Sequence, residues 1–251
     1  MEAIVEAIRT FPGVTRKKAV HEIVESFSTS GFPQVAASEG EDAAAVDFGD
    51  NYILFAADGI MESLVEADPF YAGYFSVLVN VNDIAAMGGK PMAMVDVISL
   101  SKSRICNQIL KGMAMAVKKF NVPIVGGHTH PDSKYNAIDV AIIGTVPKTD
   151  IILSCRARDN DDIVFVMDLD GFFPENLKYA WETTTRKSDF LVQKQIETMS
   201  VIASRHLANS AKDMSNPGSI GTLGMMLESS MKGGTVDMNK IPTPEGVDLI
   251  Q

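Results

Sequence analysis

The chain has 251 residues, which is long enough for one large domain or two modest domains, each with its own core. Its formal net charge is −10, and no basic run offsets that charge locally, so composition argues against nucleic-acid binding. Cys106 and Cys155 are the only cysteines, and no apolar stretch approaches membrane-spanning length. We therefore expect a soluble cytoplasmic protein that binds neither nucleic acid nor membrane.

Two helical patterns open the chain, at residues 2–9 and at about 15–30. The linker FPGVTRKK between them brings Gly13 and the basic residues Lys17 and Lys18 close to a helix start. Two interpretations stay open for this linker. It is either a turn with a solvated basic patch or a mobile loop that closes over phosphates.

Two strand patterns follow, and each has an acid at one end. The segment GEDAAAV, at 40–46, contains Asp42 and leads into the first strand. The residue pattern at 51–58 predicts the second strand, which ends on Asp58. Acids at strand ends are commonly solvated, so these two carboxylates do not define a site by themselves.

Clear signals delimit a helix at 68–88, where Asp68 and Pro69 form a good start and Gly88 a good stop. The predicted buried stripe consists of Tyr74, Val77, Leu78, Val81 and Ala85. Another face carries Ser76, Asn80, Asp83 and Met87. A charge on Asp83, beside the core, is costly unless a cation or a donor meets it. The simpler alternative is a solvated or capped Asp83.

The next segments predict a strand covered on both faces at 91–100, a helix at 103–120 and strands at 122–127 and 137–146. This alternation indicates an α+β or α/β first domain, over 1–150, followed by a polar junction at about 148–162. In a second domain, over 151–251, we expect strands at 162–171 and 233–238. We expect helices there at 174–184, at 188–211, after Asp213 and from 244 onward.

The motifs for a P-loop, a Rossmann fingerprint and a hydrolase nucleophile elbow are absent from the sequence. His128 and His130 are two residues apart, which alone is a weak zinc signal. The remaining candidates are four acids with small neighbours: Asp42, Asp58, Asp83 and Asp213. Carboxylates that converge on one cleft would suit Mg²⁺ and phosphoryl transfer, but their spacing does not show that they converge.

Five segments, in this order, resemble the AIR synthase superfamily: GEDAAAV, AADGI, NVNDIAAMGGKP, GGHTH and DMSNPG. The superfamily includes aminoimidazole ribonucleotide synthetase, selenophosphate synthetase, thiamine-monophosphate kinase and the hydrogenase maturation dehydratase. FPGVTRKK and DMSNPGSIGTLGMMLE are most similar to the AIR-synthase-related methanogenesis marker protein 2 group of methanogenic archaea.

The resemblance implies an α+β, two-domain fold whose amino-terminal domains pair into a homodimeric strand barrel, with ATP in a cleft across the dimer. It matches Asp42, Asp58 and Asp83 to Mg²⁺-binding acids and Asp213 to an acid of the second domain. We expect five residues to bind the nucleotide: Gly13, Lys17, Lys18, Asn80 and Thr129. The implied activity is ATP- and Mg²⁺-dependent phosphorylation or activation of a small cytosolic metabolite, as a transferase or ligase.

The sequence also departs from the family pattern. The family's GDDAA is GEDAAA here, which makes Glu41 a doubtful ligand, and GGHTH replaces GGDT, so His128 does not stand in for a metal-binding acid. Because the chain ends early for this family, we expect either a truncated form or a small second domain. The alternatives are a catalytically silent nucleotide-binding protein, acting as a sensor or assembly partner, and a structural dimer with ordinary surface acids.

Overall fold

A sheet of six strands organises the first part of the chain. The computed structural model of the protein describes residues 2–15, 24, 26–101, 103–177, 180–215, 218–244 and 247. The strands are β1 Val35–Ala37, β2 Ala44–Phe48, β3 Asn51–Ile60, β4 Lys90–Ser99, β5 Ile124–His130 and β6 Ala137–Pro147. They lie in the order β1-β2-β3-β6-β4-β5, and every pair except the parallel β4–β5 is antiparallel. The strands predicted at 51–58, 91–100 and 137–146 are therefore confirmed.

The helices of the described residues are α1 Glu2–Thr10, α2 Pro12–Thr15, α3 Glu62–Ala67, α4 Pro69–Ala86, α5 Ser103–Phe120, α6 Asp189–Ser204 and α7 Gly218–Ser229. Short 3-10 helices occupy Ser154–Arg156 and Met238–Lys240. Most of the helix predicted at 15–30 lies outside the described residues, as does most of the segment from 244 onward. None of the helices described here is long and apolar enough to cross a membrane.

Helix α4 begins and ends where the sequence predicts. The Asp68 side chain accepts a hydrogen bond from the Tyr71 N–H at 3.1 Å, and Pro69 occupies the first helical position. At the other end Gly88 has a φ of +77°, and its N–H donates to the Ala85 carbonyl at 2.8 Å. A side chain at Gly88 would also overlap Ala203 of α6, so glycine serves both the turn and the contact with the second domain.

Helices α4 and α5 cross at two glycines and cover one face of the sheet. A Cβ atom on Gly112 would overlap the Phe70 carbonyl, and one on Gly73 would overlap the Ile109 carbonyl, so the two backbones approach closely. The core between these helices and the sheet includes Leu54, Val81, Ile84, Met94, Ile109 and Ile142, each at most 1% exposed.

The other face of the sheet is open, which corrects the expectation that β4 is covered on both faces. Six large apolar side chains on this open sheet face are 37–67% exposed: Phe55, Met92, Val95, Val97, Val125 and Ile143. The reason is topological, because α4 and α5 pack on the opposite face and no element among the described residues packs here. Within one chain the sheet is open, so the expected barrel requires a second copy.

Three predicted elements of the second domain are wrong. Residues 161–169 and 232–237 are irregular rather than strands, because no neighbouring strand in the described part of the chain pairs with their backbone. Of the residues described in 174–184, none is helical. They form a loop that an isolated bridge between Phe172 and Glu182 closes. Helix α6 forms but ends at Ser204, earlier than predicted.

Candidate functional site

The four acids singled out in the sequence lie close together at the end of α4. Asp83 is on α4, Asp58 near the end of β3, Asp42 just before β2, and Asp213 in the segment that leads to α7. Burial raises the pKa of the Asp83 carboxyl to about 10, and the charges of Asp213, Asp58 and Asp42 and a hydrogen bond with Asp58 act in the same direction. The structure therefore brings together carboxyl groups that spacing alone could not connect. We call Asp42, Asp58, Asp83 and Asp213 the carboxylate cluster.

Asn80 adds an oxygen atom on the same side of α4. It lies three residues before Asp83, which places the two side chains on one helix face. Asn80 is fully buried, and its Nδ2 donates to the Ser76 carbonyl at 2.8 Å. Its Oδ1 has no hydrogen-bond partner among the residues that the structure describes. An unpaired buried acceptor costs about 1–3 kcal/mol, so this site favours a donor or a cation.

Asp42 is held by the second domain. Its side chain is 3% exposed, and its Oδ1 forms an ion pair with the ammonium group of Lys212, whose side chain is 8% exposed. Its Oδ2 accepts a hydrogen bond from the Asp213 N–H at 3.1 Å. Burial raises the pKa of the Asp42 carboxyl, while Lys212 and the Asp213 N–H oppose that shift. Sequence reasoning missed Lys212, because nothing in the motif DMSNPG indicates what the preceding lysine contacts.

The donor atoms of the carboxylate cluster and of Asn80 are of the chemical type that binds Mg²⁺. All are carboxylate or amide oxygens, the hard ligands that Mg²⁺ prefers. However, within the described ranges no three His, Cys, Asp or Glu side chains are arranged as a ready metal site. The two oxygens of Asp42 are already engaged by Lys212 and by the Asp213 N–H. The assignment of these acids to Mg²⁺ stays a prediction.

Glu41, a doubtful ligand from the sequence, has a structural contact. Its Oε2 accepts a hydrogen bond from the Ser154 N–H at 2.6 Å, within the segment that joins the two domains. The neighbouring Gly40 carbonyl accepts from the Ser154 hydroxyl at 3.3 Å. Glu41 thus anchors the junction, whereas Asp42 faces the cluster.

The residues assigned to the nucleotide are not all brought to the cluster. Gly13 lies in α2, and Lys17 and Lys18 are outside the described residues. Thr129 is exposed on β5, three strands from β3 in the sheet order, which corresponds to about 14 Å at the usual strand spacing. Within one chain, Asn80 is therefore the predicted nucleotide contact that lies beside the acids.

His128 and His130 lie on β5, which the structure extends beyond the predicted strand at 122–127. Their rings meet edge to face with centroids 4.6 Å apart, and His128 pairs in register with Val97 of β4. No third ligand joins them in the described part of the chain. This pair belongs to the sheet rather than to the carboxylate cluster.

Comparison with known proteins identifies the family. Residues 40–146 match the family model "AIR synthase related protein, N-terminal domain", and residues 171–249 match the corresponding C-terminal domain. An uncharacterised protein of Methanocaldococcus jannaschii is 50% identical over 260 residues, which cover 100% of this chain and 78% of that protein. A thiamine-monophosphate kinase of Buchnera aphidicola is 28% identical over 217 residues, covering 81% of this chain and 66% of the kinase.

A solved structure agrees with this assignment at the level of the fold. The ThiL protein in complex with AMPPCP and TMP superimposes with a TM-score of 0.61 at 16% identity, covering 85% of this chain and 69% of that one. At this identity the likeness concerns the fold alone. The chain therefore belongs to the AIR synthase related family and has its two-domain α+β fold.

Proposed function

We propose that this chain is an ATP- and Mg²⁺-dependent enzyme that phosphorylates or activates a small metabolite through the γ-phosphate of ATP. The observation that carries the proposal is the carboxylate cluster, in which a largely buried Asp83 meets three other acids beside the unpaired Oδ1 of Asn80. Such a concentration of oxygen ligands is costly unless a cation neutralises it. Mg²⁺ carried by a triphosphate supplies that cation.

The related proteins support the same reaction class. One relative is a thiamine-monophosphate kinase, and a ThiL protein of the same fold binds AMPPCP, an ATP analogue. In the proposed site Asp42, Asp58 and Asp83 hold Mg²⁺, Asp213 completes the site, and Asn80 is a further oxygen ligand. Bound Mg²⁺ supplies neutralisation of phosphate charge, which is the main requirement of phosphoryl transfer. Gly13 with Lys17 or Lys18 is proposed to contact the γ-phosphate.

A homodimer is part of the proposal. The open sheet face exposes six large apolar side chains, a surface that a second copy of the chain would bury. Thr129 lies three strands from Asp58 in the sheet order, about 14 Å at the usual strand spacing. We propose that ATP lies in a cleft between the two copies, where the acids of one copy and β5 of the other meet.

Calorimetry of ATP binding, with and without Mg²⁺, tests the proposal. We expect Asp83→Asn to weaken the Mg²⁺-dependent affinity by about tenfold or more, because one ligand carboxylate is lost. Asp50→Asn is the matched control, since Asp50 lies in an exposed turn away from the cluster, and its binding should equal wild type. Unchanged affinity and metal dependence in Asp83→Asn would remove Asp83 from the site.

Labelled ATP distinguishes the enzyme from a silent nucleotide-binding protein. When the full chain is incubated with cell extract, we expect the γ-phosphate to appear on a small metabolite or as phosphate released with a new product. ATP that binds in an Asp83-dependent manner but is not turned over would favour the sensor or assembly partner. Absence of ATP binding by wild type would reject both.

A further inference from the structure

Lys212 is a buried cation at the edge of the carboxylate cluster. Its side chain is 8% exposed, and its ammonium group pairs with Oδ1 of Asp42, 170 residues earlier in the chain. A buried ammonium group loses much of its hydration energy and must recover it from its partners. The pair therefore joins the second domain to the start of β2 through a charge contact that is largely shielded from water.

The contact occupies the part of Asp42 that a metal would need. Oδ1 faces Lys212, and Oδ2 accepts the Asp213 N–H at 3.1 Å. Asp213 itself belongs to the cluster. The segment 212–213 therefore supplies one candidate ligand, Asp213, and at the same time occupies another, Asp42. Both oxygens of Asp42 are thus engaged within the protein, and a metal ion at Asp42 would have to compete with these contacts.

We propose that Lys212 is an internal counter-cation of the carboxylate cluster, which a divalent metal must displace from Asp42. An ammonium group and a divalent metal ion that meet at the same carboxylate repel each other strongly, because two cations then lie a few ångströms apart in a site that is shielded from water. Lys212 thus sets the metal affinity of the nucleotide-free protein. It is a positioning residue, and the inference rests on the proposed function because it places the metal at the same acids.

Displacement also couples metal binding to the contact between the domains. When Lys212 leaves Asp42, the second domain loses this ion pair with the start of β2. The released ammonium group then needs another anion, and the phosphate oxygens of a nucleotide are suitable acceptors. Metal alone should therefore bind poorly to the wild-type protein.

Mn²⁺ binding to the nucleotide-free full-length chain, followed by electron paramagnetic resonance, tests this. Lys212→Met removes the charge and keeps much of the side-chain length, and we expect it to lower the Mn²⁺ dissociation constant by about tenfold or more. Lys212→Arg keeps a cation and should bind like wild type. Lys148→Met is the matched control, since Lys148 pairs with Asp47 at the surface, and its affinity should change by less than about twofold.

Further variants distinguish Mn²⁺ binding at the carboxylate cluster from adventitious binding elsewhere on the protein. The Mn²⁺ site gained in Lys212→Met should disappear in Lys212→Met combined with Asp83→Asn, which excludes adventitious sites on the acidic surface. Mn²⁺ should also raise the melting temperature of Lys212→Met more than that of wild type. If Lys212→Met does not fold, Lys212→Gln takes its place in the same titration.

Mn²⁺ affinity in Lys212→Met that equals or falls below wild type overturns the inference. The proposed function survives that result if ATP binding still depends on Mg²⁺ and Asp83. Conversely, a gained Mn²⁺ site together with absence of ATP binding in every variant would reject the proposed function and leave the role of Lys212 standing.

Discussion

At the scale of single residues, burial of the Asp83 carboxyl lowers the stability of the folded protein as pH rises. The folded protein raises the pKa of this carboxyl from 3.8 to about 10, through burial and neighbouring acids. The folded state therefore keeps a proton that the unfolded state releases between those two values. Because the unfolded chain binds fewer protons in this window, the contribution of Asp83 to stability is present below the unfolded pKa and is lost as pH rises.

Asp83→Asn should consequently stabilise the metal-free protein, and more so at higher pH. An amide is neutral at every pH, so the variant avoids the cost of charging a buried group. We expect the gain in the free energy of unfolding to reach several kcal/mol near pH 8 and to shrink by roughly 1.4 kcal/mol per pH unit toward pH 5. Urea unfolding in the presence of a chelator measures both values. A difference between variant and wild type that does not grow with pH would contradict the assignment, and Asp50→Asn should show no such trend.

Sequence reasoning found most of the residues of the cluster but not its internal contacts. Asp42, Asp58, Asp83 and Asp213 were identifiable because small neighbours and a family resemblance single them out. Lys212 was not, because whether a lysine lies in solvent or pairs inside the protein depends on the folded chain. Its partner, Asp42, lies 170 residues away.

At the scale of elements, α4 shows what helical spacing can and cannot predict. Its start, its stop and most of its buried stripe were foreseeable, although Leu78 is only partly buried. Its second face, with Ser76, Asn80, Asp83 and Met87, is buried as well. Helical periodicity identifies the helix and its apolar face. It does not reveal that the carboxylate cluster and the second domain cover the polar face as well. Tyr74, on the apolar face, also contacts the second domain, since its hydroxyl lies 2.6 Å from that of Thr184.

The crossing of α4 and α5 gives a test of packing. Gly112→Ala places a methyl group against the Phe70 carbonyl, so we expect the free energy of unfolding to fall by about 1–3 kcal/mol. Gly224→Ala in α7 is the matched control, because a Cβ atom there has nothing within 4 Å. Since alanine favours helix over glycine, that control should gain up to about 1 kcal/mol. Equal effects of the two substitutions in urea unfolding would show that the crossing tolerates the extra atom.

The two strands predicted in the second domain do not form, because a strand depends on a neighbouring strand that its own sequence does not reveal. Val164 and Val166 alternate with other residues as in a strand, yet they are 76% and 67% exposed and irregular. A strand is stabilised by a neighbour that pairs with its backbone, and a sequence pattern carries no information on whether that neighbour is present. Helices satisfy their own hydrogen bonds, which is why α6 and α7 were easier to predict.

At the scale of the whole molecule, the apolar run of β4 gains a different interpretation. The run predicted burial on both faces, and in a single chain one face is exposed. The expectation and the structure agree if the open sheet face is buried against a second copy. Large contiguous apolar surfaces on a single chain commonly mark such contacts.

Val97→Asp tests this arrangement. Val97 is 41% exposed on the open sheet face, so a carboxylate there would be desolvated in a dimer and harmless in a monomer. We expect light scattering after gel filtration to give twice 27.1 kDa for wild type and 27.1 kDa for Val97→Asp.

The matched control is Val201→Asp on α6, because Val201 has a similar exposure of 44% but lies away from the sheet. This variant should remain dimeric. A monomeric wild type, or a dimeric Val97→Asp, would exclude the open sheet face as the interface. If the nucleotide also needs both copies, Val97→Asp should lose ATP binding while Val201→Asp keeps it, which links the assembly of the sheet to the carboxylate cluster.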